Sequence, residues 1–249
     1  MKMIILTIML LFTTTAVFAN RLGIEGPFKA AGDFYRQGDY KNAIQEYESI
    51  LSRDSESGAV YYNLANSYFK DGQLGKAILN YERAKRLIPR DGDLGANYKF
   101  VLSQVRNYSS DLEPAWKVWL KQLIQSVTEG EYIIALMILY LLTGLVHLSR
   151  FFVAGSRKNI MLLCAGLSCV LLILTAAFVY KINDDNKTAI ILKDTDARFE
   201  PRENATAHFK LSEGTPVAIQ EKEGAWVKIS RFDGKLGWVE SQAIENIAR

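Results

Sequence analysis

Histidines and cysteines are the first residues to consider for chemistry, because they supply many nucleophiles, general bases and metal ligands. The chain has two of each: His147 and His208, Cys164 and Cys169. Three of these four lie in long apolar runs, so a Ser-His-Asp or Cys-His set within one folded domain would have to use His208. The sequence has no glycine-rich phosphate loop, CxxC or HExxH motif. We therefore expect no enzyme, no catalytic residues, no metal and no cofactor.

The charge of the chain bears on whether it binds nucleic acid. The formal net charge is only +3 at pH 7, and no basic cluster is interleaved with aromatic residues. We therefore expect no nucleic-acid partner.

The elements around these residues begin with an apolar stretch at the amino terminus. It follows Lys2, runs from Met3 to Ala19 and ends in small residues before the polar Asn20. This order is typical of a secretory signal peptide over residues 1–19, cleaved after Ala19. The alternative is an uncleaved anchor, although the apolar core is shorter than the roughly 20 residues that span a bilayer.

Two later apolar runs are long enough to cross a membrane as helices. They predict transmembrane helices over residues 132–154 and 160–182, joined by a cytoplasmic turn at residues 155–159. A short polar linker, Asn183 to Asn186, is expected after the second helix. The signal peptide and the hairpin together place both flanking domains outside the cytoplasm, and the basic residues around the turn agree weakly with this topology.

Ionisable side chains inside predicted membrane helices are functional hypotheses by default. His147, however, lies one turn from Arg150 near the cytoplasmic end, so we interpret it as a neutral side chain that reaches the interface. Cys164 and Cys169 lie about 140° apart around a helix and cannot form a disulfide with each other there. We interpret them as small packing residues, with a functional thiol as the alternative.

A repeat lies between the two apolar regions. Six positions correspond at a spacing of 34 residues. They are Gly38, Tyr40, Ala43, Ile44, Tyr47 and Glu48, which correspond to Gly72, Leu74, Ala77, Ile78, Tyr81 and Glu82. A 34-residue period of two short helices is the signature of the tetratricopeptide repeat (TPR). Residues 24–110 therefore resemble an array of two repeats closed by an amphipathic capping helix over residues 93–108.

The resemblance to TPR arrays implies that the first helix of each repeat lines a groove. The residues at its usual positions are Phe28, Tyr35, Arg36, Tyr62, Asn66, Phe69 and Lys70. We interpret them as a partner-binding groove with aromatic anchors and cationic ends. The alternative is that Tyr62 and Phe69 pack against the neighbouring helix while Arg36 and Lys70 are solvated. Phe28 stands where carboxylate-clamp arrays have a lysine, so binding of a chaperone tail is not expected.

Residues 113–128 precede the first membrane helix and have an apolar face that includes Trp116 and Trp119. Tryptophan is favoured at the headgroup level of a bilayer because its ring is amphipathic. The pattern predicts an interfacial amphipathic helix on the membrane surface. Further packing on the TPR array is the alternative.

Short apolar runs separated by turn signals follow the second membrane helix, which predicts a small β-barrel over residues 187–249. The motifs EGAWVKI at residues 223–229 and DGKLGWV at residues 233–239 resemble bacterial SH3 (SH3b) domains. In that family Trp226 and Trp238 would be structural first, with ligand contact as the alternative. Peptidoglycan is a partner by family analogy only.

The order of signal peptide, TPR pair, membrane hairpin and SH3b domain resembles the BatE-type proteins of bacterial aerotolerance operons over essentially the whole mature chain. The resemblance implies a non-catalytic partner of membrane proteins with von Willebrand A domains and of a MoxR-type ATPase, in envelope assembly or stress tolerance. The predicted topology then places both domains on the periplasmic side of the inner membrane.

The sequence thus predicts a multidomain protein: an all-α TPR solenoid, a two-helix transmembrane hairpin and a small all-β SH3b barrel. The first functional hypothesis is a membrane-anchored scaffold whose TPR groove binds a protein, with the barrel as a second contact. The alternative is a cell-wall anchor whose barrel binds peptidoglycan. A weaker third hypothesis is a regulatory subunit that transmits envelope state through the hairpin.

Overall fold

The computed structural model of the protein describes residues 25–53, 56–106, 114–149 and 157–248. The predicted signal peptide and residues 155–156 of the predicted cytoplasmic turn lie outside these residues, whereas residues 157–159 of that turn are helical.

Within the described residues, five helices build the amino-terminal domain. They are α1 (described over residues 25–36), α2 (Tyr40–Leu51), α3 (Gly58–Lys70), α4 (Leu74–Leu87) and α5 (Gly92–Leu102). Gly38 and Gly72 turn the chain between paired helices with φ of 80° and 82°, a conformation that glycine adopts without steric cost. Side chains from all five helices form one apolar core. The 34-residue period therefore reflects two stacked helix pairs.

Helix α5 ends earlier than the predicted helix over residues 93–108. Asp91 begins it by accepting a hydrogen bond from the Leu94 amide at 2.8 Å. After Leu102 the chain turns, and Val105 is still buried. Val105 belongs to the helical core and also lies close to Gly214 of the carboxy-terminal domain, so this apolar position is buried from a turn rather than from a longer helix.

Three helices follow: α6 (Ala115–Gln125), α7 (Glu129–Ser149) and α8 (Arg157–Lys187). Helices α7 and α8 pack together, with the rings of Tyr132 and Phe178 5.5 Å apart. Both helices are long and apolar enough to cross a membrane, and few of their residues are buried within the protein. They are therefore compatible with membrane association. Helix α7 begins three residues before the predicted start.

The predicted linker at residues 183–186 is wrong, because α8 continues without interruption to Lys187 and the first strand begins at Thr188. Two acidic residues of this segment are held in ion pairs: Asp184 with Lys121, and Asp185 with Lys181. The polar residues that suggested a linker instead form ion pairs that hold the end of a continuous helix.

The carboxy-terminal domain is a seven-stranded antiparallel sheet with the order β3-β2-β6-β5-β4-β1-β7. Its strands are β1 (Thr188–Ile191), β2 (Thr195–Arg198), β3 (Ala207–Leu211), β4 (Pro216–Glu223), β5 (Trp226–Ser230), β6 (Leu236–Glu240) and β7 (Ile244–Asn246). The sheet encloses a small core that includes Ile191, Val227 and Val239. The predicted multidomain fold class is confirmed.

Candidate functional site

Polar and aromatic side chains of α3, α4 and α5 meet on one face of the helical domain. The ring of Tyr81 lies 6.1 Å from that of Tyr62 and 5.9 Å from that of Tyr98. The Tyr81 hydroxyl donates to Asn66 Oδ1 at 2.5 Å, and Asn97 Nδ2 donates to the Tyr62 hydroxyl at 2.6 Å. The structure therefore brings the predicted residues Tyr62 and Asn66 together through Tyr81.

The Tyr81 hydroxyl is neutral at physiological pH. Burial raises the pKa of Tyr81, and the nearby hydroxyls of Tyr62 and Tyr35 raise it further. Tyr35, predicted as a groove residue from α1, is half-buried, and its ring packs edge-on against that of Tyr40 with the centroids 5.5 Å apart. This face can therefore offer uncharged donors and acceptors to the backbone of a bound protein segment.

An aromatic edge borders this face. Phe69 is half-buried, and its ring packs edge-on against that of Phe100 with the centroids 6.0 Å apart. Phe100 is 58% exposed. The edge therefore offers an apolar anchor of the type that dominates many protein interfaces.

The remaining predicted groove residues are more peripheral. Phe28 is half-buried, and its ring centroid lies 5.7 Å from that of Tyr47. Arg36 is exposed and paired with Asp33, one turn earlier on α1, and Lys70 is exposed at the end of α3. We define the groove face as the half-buried and exposed residues Tyr35, Tyr62, Asn66, Phe69, Asn97 and Phe100.

The carboxy-terminal domain covers the side of α4 that points away from Tyr81. Strand β1 is buried on both faces: Ala189 and Ile191 join the core of the sheet, whereas Ile190 joins the core of the helices. Ile247, just after β7, also belongs to the helical core. The two domains therefore share buried apolar surface, which the sequence analysis did not predict.

Gly75 lies at a close approach between the domains. Its amide donates to Glu213 Oε1 at 2.7 Å. A Cβ atom at this position would lie 2.7 Å from the carbonyl oxygen of Ile191. The first turn of α4 therefore packs directly on the backbone of β1, and only glycine fits.

Arg83 forms a second contact between the domains and is 9% exposed. Its guanidinium donates to Glu245 Oε1 at 2.7 Å, to the Asn246 carbonyl at 3.1 Å and to the Ile247 carbonyl at 3.3 Å. One arginine thereby satisfies two backbone carbonyls and one carboxylate at the end of β7.

An ionic cluster connects the helical domain to the apolar helices. Lys181 is fully buried and donates to Gln125 Oε1 at 2.9 Å. Asp185 Oδ2 lies 3.8 Å from Lys181 Nζ and 3.3 Å from Arg86 Nε. Burial opposes the charge of Arg86, but a hydrogen bond to Glu129 and the charge of Asp185 outweigh burial and raise its pKa. The base of the helical domain is therefore held by buried charges.

The predicted tryptophans of the sheet domain lie mostly inside it. Trp238 is 8% exposed, with Lys228 Nζ 5.6 Å from its ring centroid, and Trp226 is half-buried. A more exposed aromatic pair lies elsewhere on the domain: Phe199, 58% exposed, stacks on His208 with ring centroids 4.1 Å apart. This pair is the more accessible candidate for a ligand contact.

The turn between β5 and β6 gives a pH-dependent prediction. Arg231 donates to Asp233 at 2.9 and 2.5 Å, which, with the Lys235 amide, holds the pKa of Asp233 well below its usual range. Because the pKa of Asp233 is lower in the folded than in the unfolded protein, its ionised carboxylate stabilises the fold at pH values above the unfolded-state pKa of about 4. This stabilisation is lost as the pH falls through the folded-state pKa. Asp233→Asn should therefore cost about 1 kcal/mol at pH 7, with a smaller difference from wild type at pH 3.

Urea unfolding followed by tryptophan fluorescence at both pH values measures this difference. A difference that grows on acidification would contradict the role of the Arg231–Asp233 pair.

Residues 34–94 match the family described as Tetratricopeptide repeat, and residues 193–245 match the family described as Bacterial SH3 domain. A search of curated proteins gave no match to the chain. The chain thus combines a region that matches tetratricopeptide repeats, two candidate membrane helices and a region that matches bacterial SH3 domains. TPR and bacterial SH3 domains are typically non-catalytic. They bind proteins in the first case, and cell-wall or protein partners in the second.

Sequence reasoning missed part of the groove face, namely Asn97 and Phe100 on α5. The repeat period contained the signal, since 34 residues beyond Asn66 is Phe100. Helix α5 occupies the place of the first helix of a third repeat, so it lines the groove as well as covering the core.

Proposed function

We propose that this protein is a non-catalytic membrane-anchored scaffold whose groove face binds a segment of a partner protein. The observation that carries the proposal is the arrangement of α4. One side of this helix contributes Tyr81 to the groove, and the other side is covered by the SH3 domain through Gly75 and Arg83. The SH3 domain therefore supports the array from behind and leaves the groove face open.

The location proposed for this scaffold is the periplasmic side of a bacterial inner membrane, with α7 and α8 as the transmembrane hairpin. Support comes from the apolar surfaces of both helices, from the signal-peptide pattern at residues 1–19 and from the bacterial SH3 match. Since α7 and α8 form a hairpin, the TPR array and the SH3 domain lie on the same side.

The resemblance to BatE-type proteins suggests the setting: envelope assembly or stress tolerance, with von Willebrand A domain membrane proteins and a MoxR-type ATPase system as partners. The groove chemistry fits a protein partner, because it combines an aromatic edge with uncharged hydrogen-bonding groups. A partner segment that places an apolar side chain against Phe69 and Phe100 could hydrogen-bond to the amides and hydroxyls beside them.

The alternative function is a cell-wall anchor in which the SH3 domain binds peptidoglycan. The exposed Phe199–His208 stack favours it, since an accessible aromatic face is suited to packing against a ligand. The two functions therefore predict different contact residues.

Domain deletions cannot separate these functions, because either deletion would expose the shared core around Ile190. Phe100→Glu and Phe199→Glu form a matched pair instead, since each phenylalanine is 58% exposed and lies on a different domain. We expect Phe100→Glu to reduce the recovery of crosslinked partner proteins from native membranes by about tenfold or more, as for an interface anchor. Phe199→Glu should leave that recovery unchanged. The crosslinking uses full-length protein at equal expression.

Sedimentation with purified peptidoglycan provides the second measurement. If Phe199→Glu abolishes cosedimentation while Phe100→Glu leaves the protein partners unchanged, the cell-wall anchor replaces the scaffold. If neither variant changes partner recovery, the groove proposal is wrong.

A further inference from the structure

Helix α6 carries an unusually exposed apolar face. Trp116 and Trp119 are each 63% exposed, Leu120 is 41% exposed and Leu123 is 51% exposed. Their spacing of three and four residues places them on one side of the helix. We call these four residues the α6 apolar face. No residue of α6 is buried by the rest of the described structure.

The opposite side of α6 is occupied by the end of α8. Lys121 Nζ lies 3.1 Å from Asp184 Oδ2, and Gln125 Nε2 donates to the same oxygen at 3.1 Å. Gln125 Oε1 also accepts from Lys181. Since the polar side of α6 is bound to α8, the α6 apolar face must point away from the protein.

The position of α6 along the chain indicates what this face meets. Three residues separate its end from the start of α7, and the Tyr132 hydroxyl of α7 donates to the Ile124 carbonyl at 3.1 Å. Directly beyond, Ile133 and Ile134 are 56% and 55% exposed on the candidate membrane helix. The exposed apolar surface therefore continues from α7 onto α6.

We propose that the α6 apolar face binds the lipid bilayer, with Trp116 and Trp119 at the headgroup level and α6 parallel to the surface. The inference rests on the proposed membrane anchoring of α7 and α8. Tryptophan at the interface and an apolar face opposite lysine are features of helices that lie on membranes. Because α6 is also joined to Asp184 and Lys181, its insertion fixes the orientation of the TPR array above the membrane.

The test uses full-length protein reconstituted in vesicles of phosphatidylcholine and phosphatidylglycerol. The chain has four tryptophans, so the difference between wild type and Trp116→Phe/Trp119→Phe isolates the α6 fluorescence. Lipids brominated near the top of the acyl chain should remove most of this fluorescence, and aqueous acrylamide should remove little. Leu123→Glu should reduce quenching by the lipid, whereas Gln122→Glu, off the apolar face, should not.

The inference is overturned if acrylamide quenches the α6 tryptophans and brominated lipid does not. It is also overturned if neither quencher acts and crosslinking shows that a second copy covers the face. Retention of the protein in the membrane after alkaline carbonate extraction tests the anchor separately. Loss of the protein in that extraction contradicts the proposed function, whereas retention without lipid quenching contradicts only the role of α6.

Discussion

Asp185→Asn should lower the free energy of unfolding of the detergent-solubilised protein by about 3 kcal/mol or more. The side chain of Asp185 is 5% exposed and is the carboxylate between Lys181 and Arg86. Removing its charge leaves a fully buried lysine without its ion-pair partner. Uncompensated buried charge is among the most destabilising changes available to a fold. Unfolding by sodium dodecyl sulfate in mixed micelles, followed by circular dichroism, measures the effect.

The adjacent residue provides a matched control. Asp184 also forms an ion pair, but with Lys121, whose side chain is 47% exposed. Asp184→Asn should therefore cost less than about 1 kcal/mol, as for other solvent-accessible pairs. Adding Lys181→Met to Asp185→Asn should recover part of the lost stability, because both the buried cation and its lost partner are then absent. Equal losses for the two asparagine variants would show that the cluster is not buried in solution.

Gly75→Ala should destabilise the protein by about 2 kcal/mol, although alanine is the better helix former. Gly75 lies in the first turn of α4, where alanine alone would favour the helix. The new Cβ would lie 2.7 Å from the Ile191 carbonyl oxygen and 2.9 Å from the Leu192 Cα. Both are backbone atoms that cannot rotate away, so the SH3 domain must shift and weaken the hydrogen bond from Gly75 to Glu213. Gly75→Ala is therefore expected to lower stability, rather than raise it, only if the two domains are in contact.

Gly95→Ala is the control for this prediction. Gly95 lies within α5 and is exposed, and a Cβ atom added there would have no neighbouring atom within 4 Å. Its substitution should raise stability by about 0.5 to 1 kcal/mol. Urea unfolding by circular dichroism compares the two variants with wild type. If both glycine substitutions stabilise the protein equally, the TPR array and the SH3 domain do not pack together in solution.

Features with a strong local period could be predicted from the sequence. The 34-residue spacing of Gly38 and Gly72 predicts paired helices, and the short apolar runs predict a small sheet domain. The same period placed Tyr62 and Asn66 correctly on the first helix of a repeat. These predictions succeed because each depends on a repeat or a run of residues that can be read along the chain.

The contact between the domains could not be predicted in the same way. From the sequence, Arg83 on α4 would be expected to be solvent-exposed. It is instead buried by the end of β7, more than 160 residues later in the chain. The continuous apolar run from Ala189 to Leu192 carried the one available signal. Strands buried on both faces lack the alternation of half-exposed strands. That signal indicates a covering layer without identifying α4 as the layer.

The direct connection between Lys187 and Thr188 has a mechanical consequence. Helix α8 has 31 residues, and at about 1.5 Å per residue it forms a rod of roughly 46 Å. At its carboxy-terminal end α8 continues directly into the SH3 domain, which packs on the TPR array. Membrane helices adjust their tilt to bilayer thickness. In the proposed scaffold, a helix without a hinge at this end turns any such tilt into an equal rotation of the groove face.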